Sequence, residues 1–395
     1  MKSVGVICEC NPFHSGHKYL IEQARAGGAD AVVCVMSGYF TERGEAAIAE
    51  PYSRASALIA GGADLVVELP YPYSASGAEF FADAGVNVLS RLGVSALCFG
   101  SECGDLAPLF EAARISLSEE FLRLYTERTT EAKGAAQAYF ELLESMCGGD
   151  VHFSSNDILG ISYLRALIKQ GSNMIPATVK REGSAYLDEA LPQNGHPSAT
   201  ALRRRLLADP IEASLPYLLP ETEASLKEAQ GESTFPADLS FAERAILTAL
   251  RMQSTDSLSA LAELDGGLGN RLIESAVRAD SLERLLELAA TKKYTNSRLR
   301  RGILYAMTGV KKEDLIAPPA HVRLLAANRV GCALLAQMRR DGALPVVTRV
   351  ADIPKTPESA RQEELHARAL SLYSACLKNP VSPPALLAKK PRILK

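Results

Sequence analysis

The sequence predicts an α/β protein whose first half forms a parallel sheet covered by helices, followed by a mainly α-helical region. Three observations predict it. Short β-branched runs alternate with longer helical patterns through the first hundred residues, the rhythm of βαβ units. Those runs are nearly continuous in apolar residues, as strands buried on both faces are. From Phe241 onward, apolar residues recur at spacings of three and four.

The elements follow in order. Ser3–Cys8 reads as the first strand and Gly16–Ala26 as the first helix. Asp30–Met36 is the second strand, Ala47–Ala60 the second helix and Asp64–Leu69 the third strand. Ser76–Leu92 is helical and Ser95–Phe99 is the next strand. Residues 105–172 are expected to be mainly helical, with a break at Gly148–Asp150. Asn173–Lys180 supplies one more strand, and Pro197–Leu207 opens a short basic helix. Residues 210–238 are rich in Pro, Glu and Ser and read as a linker region. The expected organisation is therefore a catalytic unit over 1–209, a linker over 210–238 and a helical, basic unit over 239–395. The tail from Asn379, with three prolines and then Lys389, Lys390, Arg392 and Lys395, is expected to be mobile.

Composition bounds the function. The chain has 395 residues, is 47% hydrophobic and 23% charged, as soluble globular proteins are. No apolar run reaches the roughly 20 residues that span a bilayer. The apolar stretch Val4–Cys8 is too short for a signal peptide and meets Glu9 at once, so the expected location is the cytoplasm. The eight cysteines are then read as reduced, buried residues and not as a disulfide framework; no metal site is expected. The net charge of −3 conceals an asymmetry: residues 1–150 hold 10 Lys and Arg against 20 Asp and Glu, while 151–395 hold 33 against 26. Between Ala290 and Val350 there are 12 basic and 3 acidic residues. Such a stripe points to a polyanion.

The densest motif is Cys10-Asn11-Pro12-Phe13-His14-Ser15-Gly16-His17, placed directly after the first strand and opening the first helix. Ligands of parallel sheets bind at the carboxyl ends of strands, facing helix N-termini whose N–H groups and dipole favour phosphate. Gly16 leaves the backbone open to close approach. His14 and His17, three apart, share one helical face and can donate hydrogen bonds to phosphate oxygens as charge builds.

An HxGH pattern after the first strand marks the nucleotidyltransferase superfamily. The longer string from Asn11 to His17, then Met36-Ser37-Gly38, Arg43-Gly44-Glu45, Glu68-Leu69-Pro70 and Phe99-Gly100-Ser101-Glu102, resembles the bacterial tRNA(Met) cytidine acetate ligase family. The resemblance continues through Ser155–Leu159, Lys180-Arg181, Ser198-Ala199-Thr200 and Tyr294–Arg301, and covers most of the chain in order. It implies a Rossmann-like nucleotidyltransferase domain with a parallel sheet. It also implies ATP-dependent formation of acetyl-adenylate, with Mg²⁺ screening the triphosphate, and acetyl transfer to N4 of the wobble cytidine of elongator tRNA(Met). Carried over residue by residue, His14 and His17 are catalytic. The ATP site is Ile7, Cys8, Glu9, Cys10, Asn11, Pro12, Phe13, His14, Ser15, Gly16, His17, Lys18, Tyr19 and Leu20, closed by Gly100, Asn156 and Arg181. Asn156 also fits a helix N-cap, and Ser198 and Thr200 fit either a second phosphate motif or simple capping.

The basic stripe supplies the RNA side. Lys292, Lys293, Arg298, Arg300 and Arg301, with Lys311 and Lys312 behind them, can neutralise phosphates, and Tyr294 and Tyr305 can stack or hydrogen-bond. The chain departs from its relatives at three points. Cys10 stands where they usually have Tyr, Glu42 where they have Gln, and Pro51 where they commonly have Lys. Glu42 brings a carboxylate near a site meant for anions, which bears on the acid substrate. Two other readings stay open: a small-molecule adenylyltransferase of the same superfamily, and an inactive tRNA-binding protein.

Overall fold

The computed structural model describes residues 1–128, 135–149, 152–181, 198–342 and 344–394; Asp150, Pro197 and Lys395 lie outside them. The first half alternates strands and helices: β1 (Ser3–Cys8), α1 (Ser15–Ala26), β2 (Ala31–Ser37), α2 (Pro51–Ala60), β3 (Leu65–Leu69), α3 (Ala78–Arg91) and β4 (Ala96–Ser101). Then come α4 (Leu106–Ser116), α5 (Glu119–Arg128), α6 (Ala135–Met146), α7 (Ser155–Lys169), β5 (Ile175–Lys180), α8 (Ala199–Ala208) and α9 (Pro220–Gly231). The second half holds α10 (Glu243–Arg251), α11 (Thr255–Ser259), α12 (Leu268–Arg278), α13 (Leu282–Ala289), α14 (Asn296–Thr308) and α15 (Lys312–Ile316). It ends with β6 (Val322–Ala327), α16 (Arg329–Arg340), β7 (Val346–Val347), α17 (Pro357–Ala375), α18 (Pro383–Leu387) and β8 (Arg392–Ile393).

The sheet runs β5-β4-β1-β2-β3-β6-β7, with β8 alongside β6. From β5 to β3 every pairing is parallel, with Cys8 opposite Met36 and Gly100 opposite Val179. Alternate residues of β1–β3 enter two cores. Ile7, Val33, Val35 and Val67 face α3 and α7, while Val6, Cys8, Cys34 and Val66 face α1 and α2. A third core, among α10–α14 and α17, takes in Tyr39, Phe40 and Tyr71 from the first half.

The α/β architecture follows the expectation, with three differences. The sheet is mixed: β6, from the helical half, pairs antiparallel with β3, Leu65 opposite Ala327. The run Val322-Arg323-Leu324-Leu325-Ala326-Ala327 is short and apolar, and its pattern alone does not separate strand from helix. Second, residues 210–238 are not a free linker. They carry α9, packed on α2, with Ile211, Leu226, Ala229 and Phe235 in a small core. Third, the tail is tied down. β8 pairs with β6, and Arg392 bridges Glu228 at 2.8 Å and Glu232 at 3.1 Å.

Candidate active site

The carboxyl end of β1 turns sharply into α1. Cys10 adopts φ +48°, a left-handed conformation that costs a residue with a Cβ about 1–3 kcal/mol, and the Asn11–Pro12 bond is cis. The turn is held from several sides. The Ile48 N–H donates to Asn11 Oδ1 at 2.7 Å, and Arg203 Nη1 donates to the Asn11 carbonyl at 2.9 Å. Thr222 Oγ1, on α9, donates to the Phe13 carbonyl at 2.8 Å. Phe13 is buried, and a Cβ at Gly61 would lie 2.3 Å from its ring. Asn11 Nδ2 is buried with no hydrogen-bond partner among the described residues.

His14 is the N-cap of α1. Its Nδ1 accepts the Gly16 N–H at 3.1 Å, and His17 Nδ1 accepts the His14 N–H at 3.3 Å, a reciprocal capping box built from two imidazoles. The ring centroids are 4.0 Å apart. A neutral ring that accepts at Nδ1 carries its proton on Nε2. Burial holds the His17 pKa well below the usual histidine value, helped by His14 and by the Arg181 charge. His17 is therefore a neutral N–H donor at pH 7. Gly16 has a reason beyond ligand approach, since a Cβ there would sit 2.9 Å from His14 Cε1.

The remaining residues of the expected ATP segment divide by face. Ile7 packs on Gly85 of α3, and Cys8 and Cys10 enter the α1–α2 core beside Cys34, all three thiols buried. Glu9 Oε1 accepts the Glu42 N–H at 2.7 Å; burial and the Glu42 charge lift its carboxyl to about 7. Pro12 is buried, and Ser15 and Tyr19, both in α1, are half-buried. Lys18 Nζ turns to α9, 2.8 Å from Glu221, and Leu20 packs against the α1–α2 core.

Gly100, Asn156 and Arg181 come together at the ends of β4, α7 and β5. Gly100 lies within β4, not in a turn, and a Cβ there would be 3.2 Å from Arg181 Cγ. Ser154, with Asp157, caps α7, so Asn156 is not the N-cap; its Nδ2 donates to Glu102 Oε1 at 2.6 Å. Arg181 Nε stands 3.6 Å from the same oxygen.

The basic stripe separates into two kinds of residue. Lys292, Lys293, Lys311 and Lys312 are exposed. The arginines are engaged: Arg298 with Asp265 at 3.7 Å, Arg300 with Glu45 at 3.4 Å, and Arg301 with Glu263 at 2.9 Å and Glu42 at 3.7 Å. Lys293 and Arg298 flank the Tyr294 ring, each 5.3 Å from its centroid. Tyr305 is fully buried and donates to the Ala75 carbonyl at 2.9 Å, so it is a packing residue and not a stacking platform.

Comparison with known proteins bears on nearly the whole chain. The HIGH Nucleotidyl Transferase family model matches residues 1–384. A tRNA(Met) cytidine acetate ligase of Anoxybacillus flavithermus is 34% identical over 403 residues, 98% of each chain. That of Acetivibrio thermocellus is 33% identical over 401 residues, 96% of each. The apo crystal structure of Thermotoga maritima TmcAL superposes with a TM-score of 0.92 at 28% identity, and the same protein bound with alpha-thio ATP with 0.89 at 28%, each over 100% of both chains. The chain belongs to the tRNA(Met) cytidine acetate ligase family.

Two residues of this family member escaped the sequence reading. Arg54 is fully buried in α2. Its guanidinium donates to the carbonyls of Ala49 (2.9 Å), Glu9 (2.6 Å), Ser37 (2.9 Å) and Gly38, and so braces the ends of β1 and β2. A lone arginine within the otherwise uncharged segment 51–60 was the available signal. Glu102 was seen only as part of a motif string. It collects Asn156, Arg181 and Ser154 Oγ, the last at 2.5 Å, a role that only the folding of three distant segments creates.

Proposed function

We propose that the protein activates acetate with ATP and transfers the acetyl group to N4 of the wobble cytidine of elongator tRNA(Met). The observation that carries this reading is the imidazole capping box of His14 and His17 at the N-terminus of α1, directly after the carboxyl end of β1. The triphosphate would lie against the N-terminus of α1 within reach of the two imidazoles, with Arg181 supplying the cation and Gly100 the room for the nucleoside. An acetate oxygen attacks the α-phosphorus and the bond to the bridging oxygen breaks. Pyrophosphate leaves while His14 and His17 donate to the oxygens that gain charge. The cytidine amine then attacks the acetyl carbon; the C–N bond forms, AMP departs with its oxygen, and the amine proton passes to solvent.

Mg²⁺ would add charge screening on the triphosphate. Among the described residues no group of three or more His, Cys, Asp or Glu side chains is arranged to hold a metal, so the ion fits as a companion of the nucleotide. In this reading residues 1–209 hold ATP and the acid, and residues 239–395 present the RNA through the exposed Lys292 and Lys293 with Arg298 and Arg300 beside them, while Arg301 stays an internal tie to Glu263 and Glu42. No helix among the described residues is long and apolar enough to cross a membrane, which suits a cytoplasmic tRNA enzyme.

The test is incubation of the pure protein with ATP and labelled acetate, with and without tRNA. Acetyl-adenylate alone and labelled tRNA together are the expected outcome. Transfer of AMP to a nucleotide phosphate would favour a small-molecule adenylyltransferase. No turnover with intact RNA binding would favour an inactive binding protein.

A further inference from the structure

The segment Thr41–Glu45 lies between the histidine turn and α14 and touches both. It is a closed turn. Gly44 N–H donates to the Thr41 carbonyl at 2.8 Å, Thr41 N–H to the Glu45 carbonyl at 3.0 Å, and Phe40 bridges Ala46. Its two acidic residues each make one link in either direction. The Glu42 N–H donates to Glu9 on the β1 side, and the Glu42 carbonyl accepts Arg301 Nη1 at 3.2 Å on the α14 side. Glu45 Oε2 accepts Arg203 Nη2 at 2.9 Å, and Glu45 Oε1 accepts Arg300 Nη1 at 3.4 Å. Arg203 in turn holds the Asn11 carbonyl at 2.9 Å, three residues before His14. Contact with α14 is tight: Gly44 has φ +70°, and a Cβ there would lie 2.6 Å from the Arg301 nitrogen.

We propose that Glu45 and Arg203 are positioning residues that couple RNA on α14 to the nucleotide-binding turn. The inference rests on the proposed function for the identity of the two ligands. Glu45 is shared between two arginines. An RNA phosphate that takes Arg300 leaves the Glu45 carboxylate to Arg203 alone. Arg203, held more firmly, fixes the Asn11 carbonyl and with it the capping box that receives the triphosphate. RNA therefore tightens ATP binding, and by linkage ATP tightens RNA binding by the same factor. Glu42, the carboxylate that stands where relatives have Gln, has Arg301 as its counter-charge and makes the parallel link to Glu9.

The experiment measures the affinity of a tRNA(Met) transcript with and without saturating α,β-methylene ATP, and the affinity of that analogue with and without transcript. The wild-type protein should show equal coupling factors of about 5–100 in the two directions. Glu45→Gln should bring both factors close to 1, with each separate affinity within about threefold of wild type. Arg203→Lys keeps the charge but not the two-pronged grip. It should also lose coupling and lower the kcat of acetate-dependent ATP–pyrophosphate exchange at least tenfold, with the KM for ATP changed less than threefold. This variant keeps the test decisive should Glu45→Gln not fold. Coupling factors near 1 in the wild type, or full coupling in the variants, would overturn the proposal. Absent exchange with coupled binding intact would strike the proposed function and leave the coupling standing.

Discussion

The histidine turn and the basic helix α14 use polar groups in opposite ways. At the turn the two imidazoles are locked to backbone: His14 and His17 accept N–H groups, and burial keeps His17 uncharged. At α14 the side chains are fully charged and locked to carboxylates, Arg300 to Glu45 and Arg301 to Glu263 and Glu42. The difference teaches that density of charge in a sequence does not by itself mark a contact surface. The exposed lysines beside the arginines, not the arginines as a set, carry the free positive field.

The sharpest way to break that comparison is at the turn. His14→Ala and His17→Ala should each lower the rate of adenylate formation by about 10²–10³, as loss of one transition-state donor does. The fold should survive, with His14→Ala costing about 1 kcal/mol for the lost cap. Pyrophosphate release and thermal unfolding read the two effects separately. Release at near the wild-type rate in either variant would remove that histidine from the chemistry.

At α14 the largest expected effect is on stability. Arg301→Met leaves the partly buried Glu263 and Glu42 without their cation and should destabilise the fold by about 3–5 kcal/mol in denaturant titration. Lys292→Ala with Lys293→Ala should leave stability within about 0.5 kcal/mol. The same pair should weaken RNA binding and flatten its salt dependence by up to about 2 units of slope. If the lysine pair destabilises and Arg301→Met does not, the division of the stripe is wrong.

A smaller and pH-dependent effect belongs to the junction of the two halves. Glu68 on β3 is buried beside Gly38, Arg323, Glu363 and His366, and burial pushes its carboxyl up to about 7. The folded state then binds this proton more tightly than the unfolded chain, so the Glu68 contribution falls as pH rises from about 4.5 to about 7. His366, pushed down to about 3 mainly by burial, works in the opposite sense, its contribution rising between about 3 and 6.5. Glu68→Gln should match wild type near pH 5 and exceed it at pH 8 by up to about 3 kcal/mol. A variant that is less stable than wild type at pH 8 would show that the Arg323–Glu68 attraction outweighs the desolvation.

Local pattern made part of this protein legible. Alternation of apolar strands and helices, and a phosphate-type motif between the first of each, placed β1, the histidine turn and α1 correctly because those features depend on residues close in sequence. The distribution of charge separated an acidic front from a basic region for the same reason. Only tertiary structure decided the rest. β6 became a strand because β3 offered an open edge, although its own six residues carry no decisive period. The segment 210–238 became part of the scaffold because α9 found an apolar face on α2. Arg300 and Arg301 became internal ties because a turn from residues 41–45 folded against them. Each of these outcomes depends on a partner more than 150 residues away in the chain, and the free energy that settles it is that of desolvating and pairing both partners together, which neither stretch of sequence contains alone.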